Sequence, residues 1–573
     1  MDKADVARVL GQIAALLELK GENPFRVRAY QAAARAIATF PGDLQAARAA
    51  GSLGVTQGIG PATLSIVEEL LQTGRSRMLD ELEDQIPPGL TDMLRISGLG
   101  VARVRQIHES LHVESLAELE QAVRDGSLAR LPRFGAKTAE KILKGIAFVR
   151  QAGGKRLAHH ARAEANALAR VLAGLPGVRQ VAIAGSLRRG TELVRDLDIV
   201  VAADGPPEAL HERLRALPGT IEVTPGADGA VTLQLEGGTA ADVYPCPPER
   251  FGWVLLRATG NEAHLAALAE RARAGGLRWE SRGPLRGDDL LPAPTEAAVY
   301  AAMGLPWIPP ELREGTDEPA AAAAGRLPRL VERGDLRGFL HCHTGYSDGT
   351  NTVDEWAAAG VEQGYGYLGI TDHSPATAFA ECLRPEDVPR QHGEIDAVNR
   401  ARPEIRMLKG VEADILEDGS LDYPPAVRRS FEFVIASVHT RYAMDAEQMT
   451  ARVLRAMDDP TMTILGHPTG RLLLSRDPFP VDLDRVFARA AERAVAIEIN
   501  ADPQRLDLDW RVLRRAAAAG VSISIGADAH GTTQMDHVDL GLGIARKGWL
   551  TADRILNTRT ADEFLAFAAR RRA

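Results

Sequence analysis

Short apolar runs with strand character end again and again in His, Asp or Glu along the C-terminal part of this chain. Gly338-Phe339-Leu340 runs into His341-Cys342-His343, with Asp348 following in a Ser-Asp-Gly turn. Tyr367 to Ile370 runs into Asp372-His373, Met407 to Val411 into Glu412, Phe433 to Val438 into His439, and Thr463 to Gly466 into His467. Ile523 to Ala527 delivers Asp528 and His530. One histidine at a strand end is usually structural. Nine imidazoles and carboxylates (His341, His343, Asp348, His373, Glu412, His439, His467, Asp528, His530) are enough for two or three ions. The His/carboxylate mixture suits Zn²⁺ or Mn²⁺, and such ions generate hydroxide and neutralise phosphodiester oxygens. A metal-dependent hydrolase site is expected. Cys342, between two histidines on extended chain, is expected to point away and pack, and Asp372 to orient a ligand. Thr440, Arg441 and Arg471 are candidates for gripping a scissile phosphate.

A second constellation lies mid-chain. Ala184-Gly185-Ser186-Leu187-Arg188-Arg189-Gly190 follows a strand-like run, and Asp196-Leu197-Asp198 opens the next. Residues two apart on a strand share a face, so Asp196 and Asp198 can bridge a pair of Mg²⁺ or Mn²⁺ ions that also hold substrate phosphates. Asp242 lies in a plausible neighbouring strand. Gly185 and Ser186 offer backbone donors to a triphosphate and Arg189 a fixed cation. The chemistry implied is in-line nucleotidyl transfer by a two-metal mechanism.

These residues need platforms. The C-terminal runs, separated mostly by helix-like Ala/Arg/Glu stretches, have the layout of a β/α barrel, whose strand ends converge on one site. The middle alternates strand-like (178–245) and helix-like (260–304) patterns. Residues 1–150 read as helical and hold Gly58-Ile59-Gly60, Gly98-Leu99-Gly100 and the more degenerate Arg133-Phe134-Gly135-Ala136-Lys137, each ahead of a helix. Bare N–H groups at a positive helix end suit phosphate, and three copies point to helix-hairpin-helix contacts with a DNA backbone through Gly58, Gly60, Gly98, Gly100, Gly135 and Lys137.

The net charge of −9 excludes a bulk polycation, while residues 1–150 carry 19 Lys/Arg against 18 Asp/Glu. Any DNA binding must come from local geometry. Three cysteines at unrelated spacings, no signal-like N-terminus and no long apolar run give the expectation of a cytoplasmic protein with no membrane segment.

Together these pieces resemble the bacterial family X DNA polymerases that carry a C-terminal PHP (polymerase and histidinol phosphatase) domain. Asn23-Pro24-Phe25-Arg26-Val27-Arg28-Ala29-Tyr30 looks like the family's N-terminal signature. The Gly185 segment with Asp196, Asp198 and Asp242 matches its palm, Ile308 to Arg313 its palm-to-linker segment, and the nine strand-end ligands its PHP site. The resemblance implies a multidomain α+β and α/β fold: helix-hairpin-helix domains at 1–80 and 81–150, a mixed-sheet palm at 151–255 and a nucleotide-pocket subdomain at 256–315. A linker at 316–334 and a distorted β/α barrel at 335–573 complete it. It implies gap-filling DNA synthesis from dNTPs and a Mn²⁺-dependent 3′→5′ exonuclease in repair, on gapped or nicked duplex, with Gly260 at the nucleotide and a monomeric chain.

The chain departs from the family pattern in places. Ile66 stands where lyase-competent members carry a Schiff-base lysine, so lyase chemistry by that route is not implied. Arg195 stands for a glycine and Tyr244 for an arginine, and Arg257, Ala258, Leu265 and Ala269 replace usual pocket residues. Two alternatives follow: a PHP nuclease whose impaired polymerase module serves DNA binding, and a small-phosphoester phosphatase fused to an adaptor.

Overall fold

The computed structural model describes residues 3–38, 40, 44–96, 98–205, 207–226, 229–235, 239–377 and 382–572. The chain divides into two compact units, Met1–Gly153 with Leu474–Arg476, and Gly154–Leu473 with Asp477–Ala573.

The first unit is helical. Its helices close on one core that includes Leu10, Ile13, Tyr30, Val67, Met93, Ile107 and Ile146. The three anticipated hairpin helices are present: α1 (Pro61–Thr73), α2 (Val101–Leu111) and α3 (Ala136–Ala152). Each begins after a glycine in extended conformation: Gly60, Gly100 or Gly135. Two residues earlier the chain turns through positive φ, at Gly58 (93°), Gly98 (86°) and, in the degenerate copy, Arg133 (72°). The residue between is buried in every copy: Ile59, Leu99 and Phe134. A buried anchor and an extended cap therefore impose one turn on three unlike sequences. Ile66 packs against the same core, which accounts for a hydrocarbon at that position.

The second unit opens with a five-stranded mixed sheet: β1 (Val178–Ile183), β2 (Leu197–Ala203), β3 (Thr220–Pro225), β4 (Val231–Leu235) and β5 (Ala240–Cys246), in the order β1-β2-β5-β4-β3. Only β2 and β5 run parallel, and their register pairs Asp198 with Asp242. Helices Phe251–Thr259 and Glu262–Ala274 and a small antiparallel sheet over Leu277–Leu290 follow.

The barrel is closed, with seven parallel strands: β6 (Gly338–Cys342), β7 (Tyr367–Ile370), β8 (Arg406–Asp414), β9 (Phe433–Ser437), β10 (Ile464–Leu465), β11 (Ala496–Asn500) and β12 (Ile523–Ala529). Leu340, Tyr367, Leu408, Phe433, Ile464 and Ala496 form an apolar plug with Phe564 and Phe567 of the final helix, Ala561–Ala569. Polar side chains are left for the opposite end of the strands, as in other β/α barrels.

The segment 316–334, expected as a linker, is packed. It contains helix Glu318–Ala323, and buried Glu318 accepts from the Gly315 N–H (3.0 Å) and faces His264 Nδ1 (2.7 Å). Further on, Val331 N donates to the Leu550 carbonyl (3.0 Å), fastening the strip to the barrel. An Ala-rich composition concealed the pairings with His264 and Leu550, which lie far off in sequence. Among the described residues no helix is long and apolar enough to cross a membrane.

Candidate active sites

Asp198 and Asp242 face one another on β2 and β5, with Asp196 just before β2 begins. Gly185 opens a single helical turn, Gly185–Arg188, at φ +63°, and a Cβ there would lie 1.8 Å from Asp198 Oδ2. Only glycine lets this loop press on the carboxylate, for both conformational and steric reasons. The leading N–H groups of the turn, at Gly185 and Ser186, are of the kind a helix leaves without internal partners.

Burial raises the Asp198 pKa, Asp196 and Asp242 push it further, and it reaches about 7 despite a hydrogen bond from Tyr244. The Tyr244 hydroxyl donates to Asp198 Oδ1 (3.1 Å), and Thr232 Oγ1 to Asp242 Oδ1 (2.5 Å). Tyr244, in the place of an arginine, thus steadies the carboxylate without neutralising it. Arg189 is engaged as well: its Nε donates to Glu314 Oε1 (3.0 Å) and its Nη1 to the Thr259 carbonyl (2.8 Å), one residue before Gly260. Gly260 ends helix Phe251–Thr259, and a Cβ on it would touch the His264 and Leu265 side chains at 3.0 Å.

Eight of the nine expected barrel ligands gather in three overlapping groups, the candidate atoms of each lying within 4.8 Å of one another. His341, His343, Glu412 and Asp528 form one; His343, Asp348, His373 and His530 a second; His373, Glu412 and His439 a third. His467 Nε2 lies 3.0 Å from Glu412 Oε1, beside the third group. The palm trio is not among these groups.

Burial opposes charge throughout the barrel centre. Glu412 is nevertheless held well below the usual carboxylate range by His439, His341 and His373, and Asp528 by His341, His343 and His530. Burial and the neighbouring His530 and His373 lower His343 to about 3, leaving it a neutral donor. For His439 burial is outweighed by Glu412 and Asp414, which lift it to about 9.

The donor set fits divalent cations. His341 Nε2, both His343 nitrogens, His467 Nδ1 and Glu412 Oε2 are buried and make no hydrogen bond. Buried polar atoms without partners are costly, and here they converge, as lone pairs aimed at a shared cation do. His341, His467 and Asp528 also hold positive φ (64°, 22° and 51°), the kind of backbone strain that clusters at functional sites.

The sequence reading missed the residues that aim these ligands. Glu498 on β11 accepts from His341 Nδ1 (2.6 Å) and from the His467 N–H (2.7 Å). Asp414 holds His439 Nδ1 (2.8 Å). The available signal was an acid inside an apolar strand, Ala496-Ile497-Glu498-Ile499-Asn500. Cys342 packs away from the ligands, its Sγ 3.4 Å from the Gly369 carbonyl. Asp372 orients no histidine. It accepts from the Thr344 N–H (2.7 Å), Ser347 Oγ (2.5 Å) and Gln391 Nε2 (2.6 Å), and so fixes the loop between His343 and Asp348. Arg441 is exposed and pairs with Glu417 (3.1 Å), and the Thr440 carbonyl accepts from Arg452 (2.9 Å). Arg471 pairs with Asp509 (2.9 Å) and Glu192 (3.4 Å), and so is not free to hold a phosphate. Among the described residues a cation that does stand beside the ligands is Arg505, whose Nε lies 3.6 Å from Asp528 Oδ2.

A mixed-sheet carboxylate palm and a PHP-type metal barrel, preceded by hairpins, define a nucleic-acid enzyme with two separate sites. Comparison with known proteins agrees. Family models match at residues 1–76 (helix-hairpin-helix domain), 90–147 (SAM-like helix-hairpin-helix tandem), 254–314 (DNA polymerase beta thumb) and 340–501 (PHP domain). The "DNA polymerase/3'-5' exonuclease PolX" of Bacillus subtilis is 34% identical over 574 residues, covering 100% of both chains. Probable phosphatases match the C-terminal part alone: one from Thermoanaerobacter sp. is 28% identical over 38% of this chain and 89% of its own, and one from Vibrio parahaemolyticus 30% over 40% and 91%. The chain belongs to the PolX family, the family X DNA polymerases with a C-terminal PHP domain.

Proposed function

We propose that this chain is a repair polymerase that fills gaps in DNA and digests 3′ ends at a separate site. The observation that carries the polymerase half is the Asp198–Asp242 pairing with Gly185 pressed against Asp198. A loop of backbone donors against paired carboxylates is what a metal-bound triphosphate requires. Mg²⁺ or Mn²⁺, when bound there, neutralises phosphate charge and activates the primer hydroxyl. Asp196, Asp198 and Asp242 would hold the cations, and Gly185, Ser186, Arg189 and Gly260 would line the nucleotide side.

The nuclease half rests on the three overlapping ligand groups, which suit two or three Mn²⁺ or Zn²⁺ ions. Such ions supply hydroxide and neutralise a phosphodiester. Glu498 and Asp414 orient His341 and His439, and Arg505 adds positive charge beside Asp528. The substrates are gapped or nicked duplex and dNTPs, met by a monomer in the cytoplasm at the nucleoid. Gly60, Gly100 and Gly135 support the DNA assignment: a Cβ on each would meet open space, so the fold does not demand glycine there, whereas a phosphate approaching the helix end would.

The test uses two variants of the full chain. Asp198→Ala is expected to abolish primer extension on a gapped duplex while 3′ digestion with Mn²⁺ continues. His341→Ala is expected to do the reverse. Loss of both activities from either change, in protein that remains folded, would refute the two-site reading.

A further inference from the structure

The loop from Gly185 to Asp196 carries the palm's phosphate-facing backbone, and the barrel grips it at two points. At the first, Lys547, the fully buried last residue of helix Val538–Lys547, donates to the Arg189 carbonyl (3.1 Å) and to the Glu314 carboxylate. Arg189 Nε donates to the same Glu314 oxygen (3.0 Å), and the Trp510 ring lies 4.5 Å from the ammonium. At the second, Glu192, only 6% exposed, meets Arg471 Nη2 and Arg511 Nη1, each at 3.4 Å. Arg471 is held in turn by Asp509 and by the Arg505 carbonyl (2.9 Å each), and Arg505 stands beside the ligand Asp528.

Buried ion pairs add little net stability, because desolvation offsets their attraction, and in some proteins their role is to set the relative position of the elements they join. An apolar contact would join palm and barrel at lower cost. What these pairs add is register, applied at Arg189 and Glu192, directly after the Gly185–Arg188 turn that faces Asp198. A site built on a loop needs its surroundings to hold the productive geometry.

We infer that the barrel is a positioning element for nucleotidyl transfer: Lys547 and Arg471 hold the Gly185–Asp196 loop in the geometry that receives a nucleoside triphosphate. The inference rests on the polymerase reading proposed above. It gives the barrel a second task, independent of its metal chemistry, in which Lys547 and Glu192 touch neither substrate nor metal.

The experiment compares Lys547→Met and Glu192→Gln with wild type as full-length protein. It measures single-nucleotide gap filling against dNTP concentration, 3′ digestion with Mn²⁺, and thermal melting. The KM for dNTP is expected to rise about tenfold or more, since small displacements of a positioning element are costly. Digestion is expected to stay within about twofold of wild type, because no contact at that site is removed. Glu192→Gln keeps the side-chain shape and carries the test if Lys547→Met does not fold. An unchanged KM in a folded variant, or equal loss of extension and digestion, would overturn the inference. Wild-type protein that digests 3′ ends but never extends a primer would overturn the polymerase reading and the inference with it.

Discussion

Replacing Asp198 with asparagine separates what this carboxylate does for chemistry from what it costs the fold. Burial, with Asp196 and Asp242 close by, lifts its pKa from 3.8 to about 7. The folded state therefore holds the proton more tightly than the unfolded chain does. Stability falls as pH rises from 3.8 to 7, and above that the full penalty applies. At about 1.36 kcal/mol for each pH unit the whole interval amounts to about 4 kcal/mol. Asparagine keeps an acceptor for the Tyr244 hydroxyl and removes the charge. Without metal, the variant's stability advantage over wild type should therefore grow by about 2 kcal/mol between about pH 5.5 and about pH 8.5, because only the part below 7 changes within that range. Thermal or urea unfolding in chelator at the two pH values reads this directly, each kcal/mol being worth a few degrees. Added Mg²⁺ should stabilise wild type at the higher pH, since a ligand that binds only the folded state adds its binding free energy, and should stabilise the variant less. Primer extension should vanish. A difference that is flat across pH, or a variant less stable than wild type at about pH 8.5 in chelator, would refute the reasoning.

Two other expectations concern the hairpins and the barrel. Gly98→Ala must place a side chain at φ +86° and should destabilise the helical unit by about 1–2 kcal/mol, whereas Gly100→Ala, at φ −71° facing open space, should cost under about 1 kcal/mol. Gly100→Ala should nevertheless weaken binding of a gapped duplex in a fluorescence anisotropy titration, and unchanged affinity would remove that glycine from the DNA surface. Glu498→Gln withdraws the charged acceptor from His341 Nδ1, and should lower Mn²⁺ affinity about 10–100-fold, with 3′ digestion demanding correspondingly more metal and gap filling retained. Direct metal titration checks it.

The barrel ligands were legible because a strand buried on both faces must be apolar throughout, so a histidine or acid at its end stands out. Strand β11 was overlooked for the complementary reason. It ends in Asn500, and its Glu498 serves His341 from 157 residues away. Arg471 shows the same limit: proximity to His467 suggested a phosphate grip, and nothing local announces a partner 279 residues earlier in the chain. The hairpins show the opposite case. Arg133 broke the glycine pattern, yet the turn formed, because buried Phe134 and extended Gly135 carry its geometry. Motifs report the residues that touch substrate, while the side chains that aim them are set by the fold.

The two sites also differ in how much they depend on their cations. In the barrel Glu412 is held well below the usual carboxylate range against its burial by His439, His341 and His373, so its charge is favoured without a metal. At the palm the balance goes the other way. Burial, Asp196 and Asp242 all raise Asp198, and Arg189, which lies near enough to favour an ionised Asp198, is tied to Glu314 and the Thr259 carbonyl. The barrel donors are therefore held by the fold, whereas a cation bound at the palm would have to offset the repulsion that Asp196 and Asp242 exert on Asp198. Holding the Gly185–Asp196 loop from outside would limit what a cation must organise there, and Lys547 and Arg471 of the barrel contact that loop at Arg189 and Glu192.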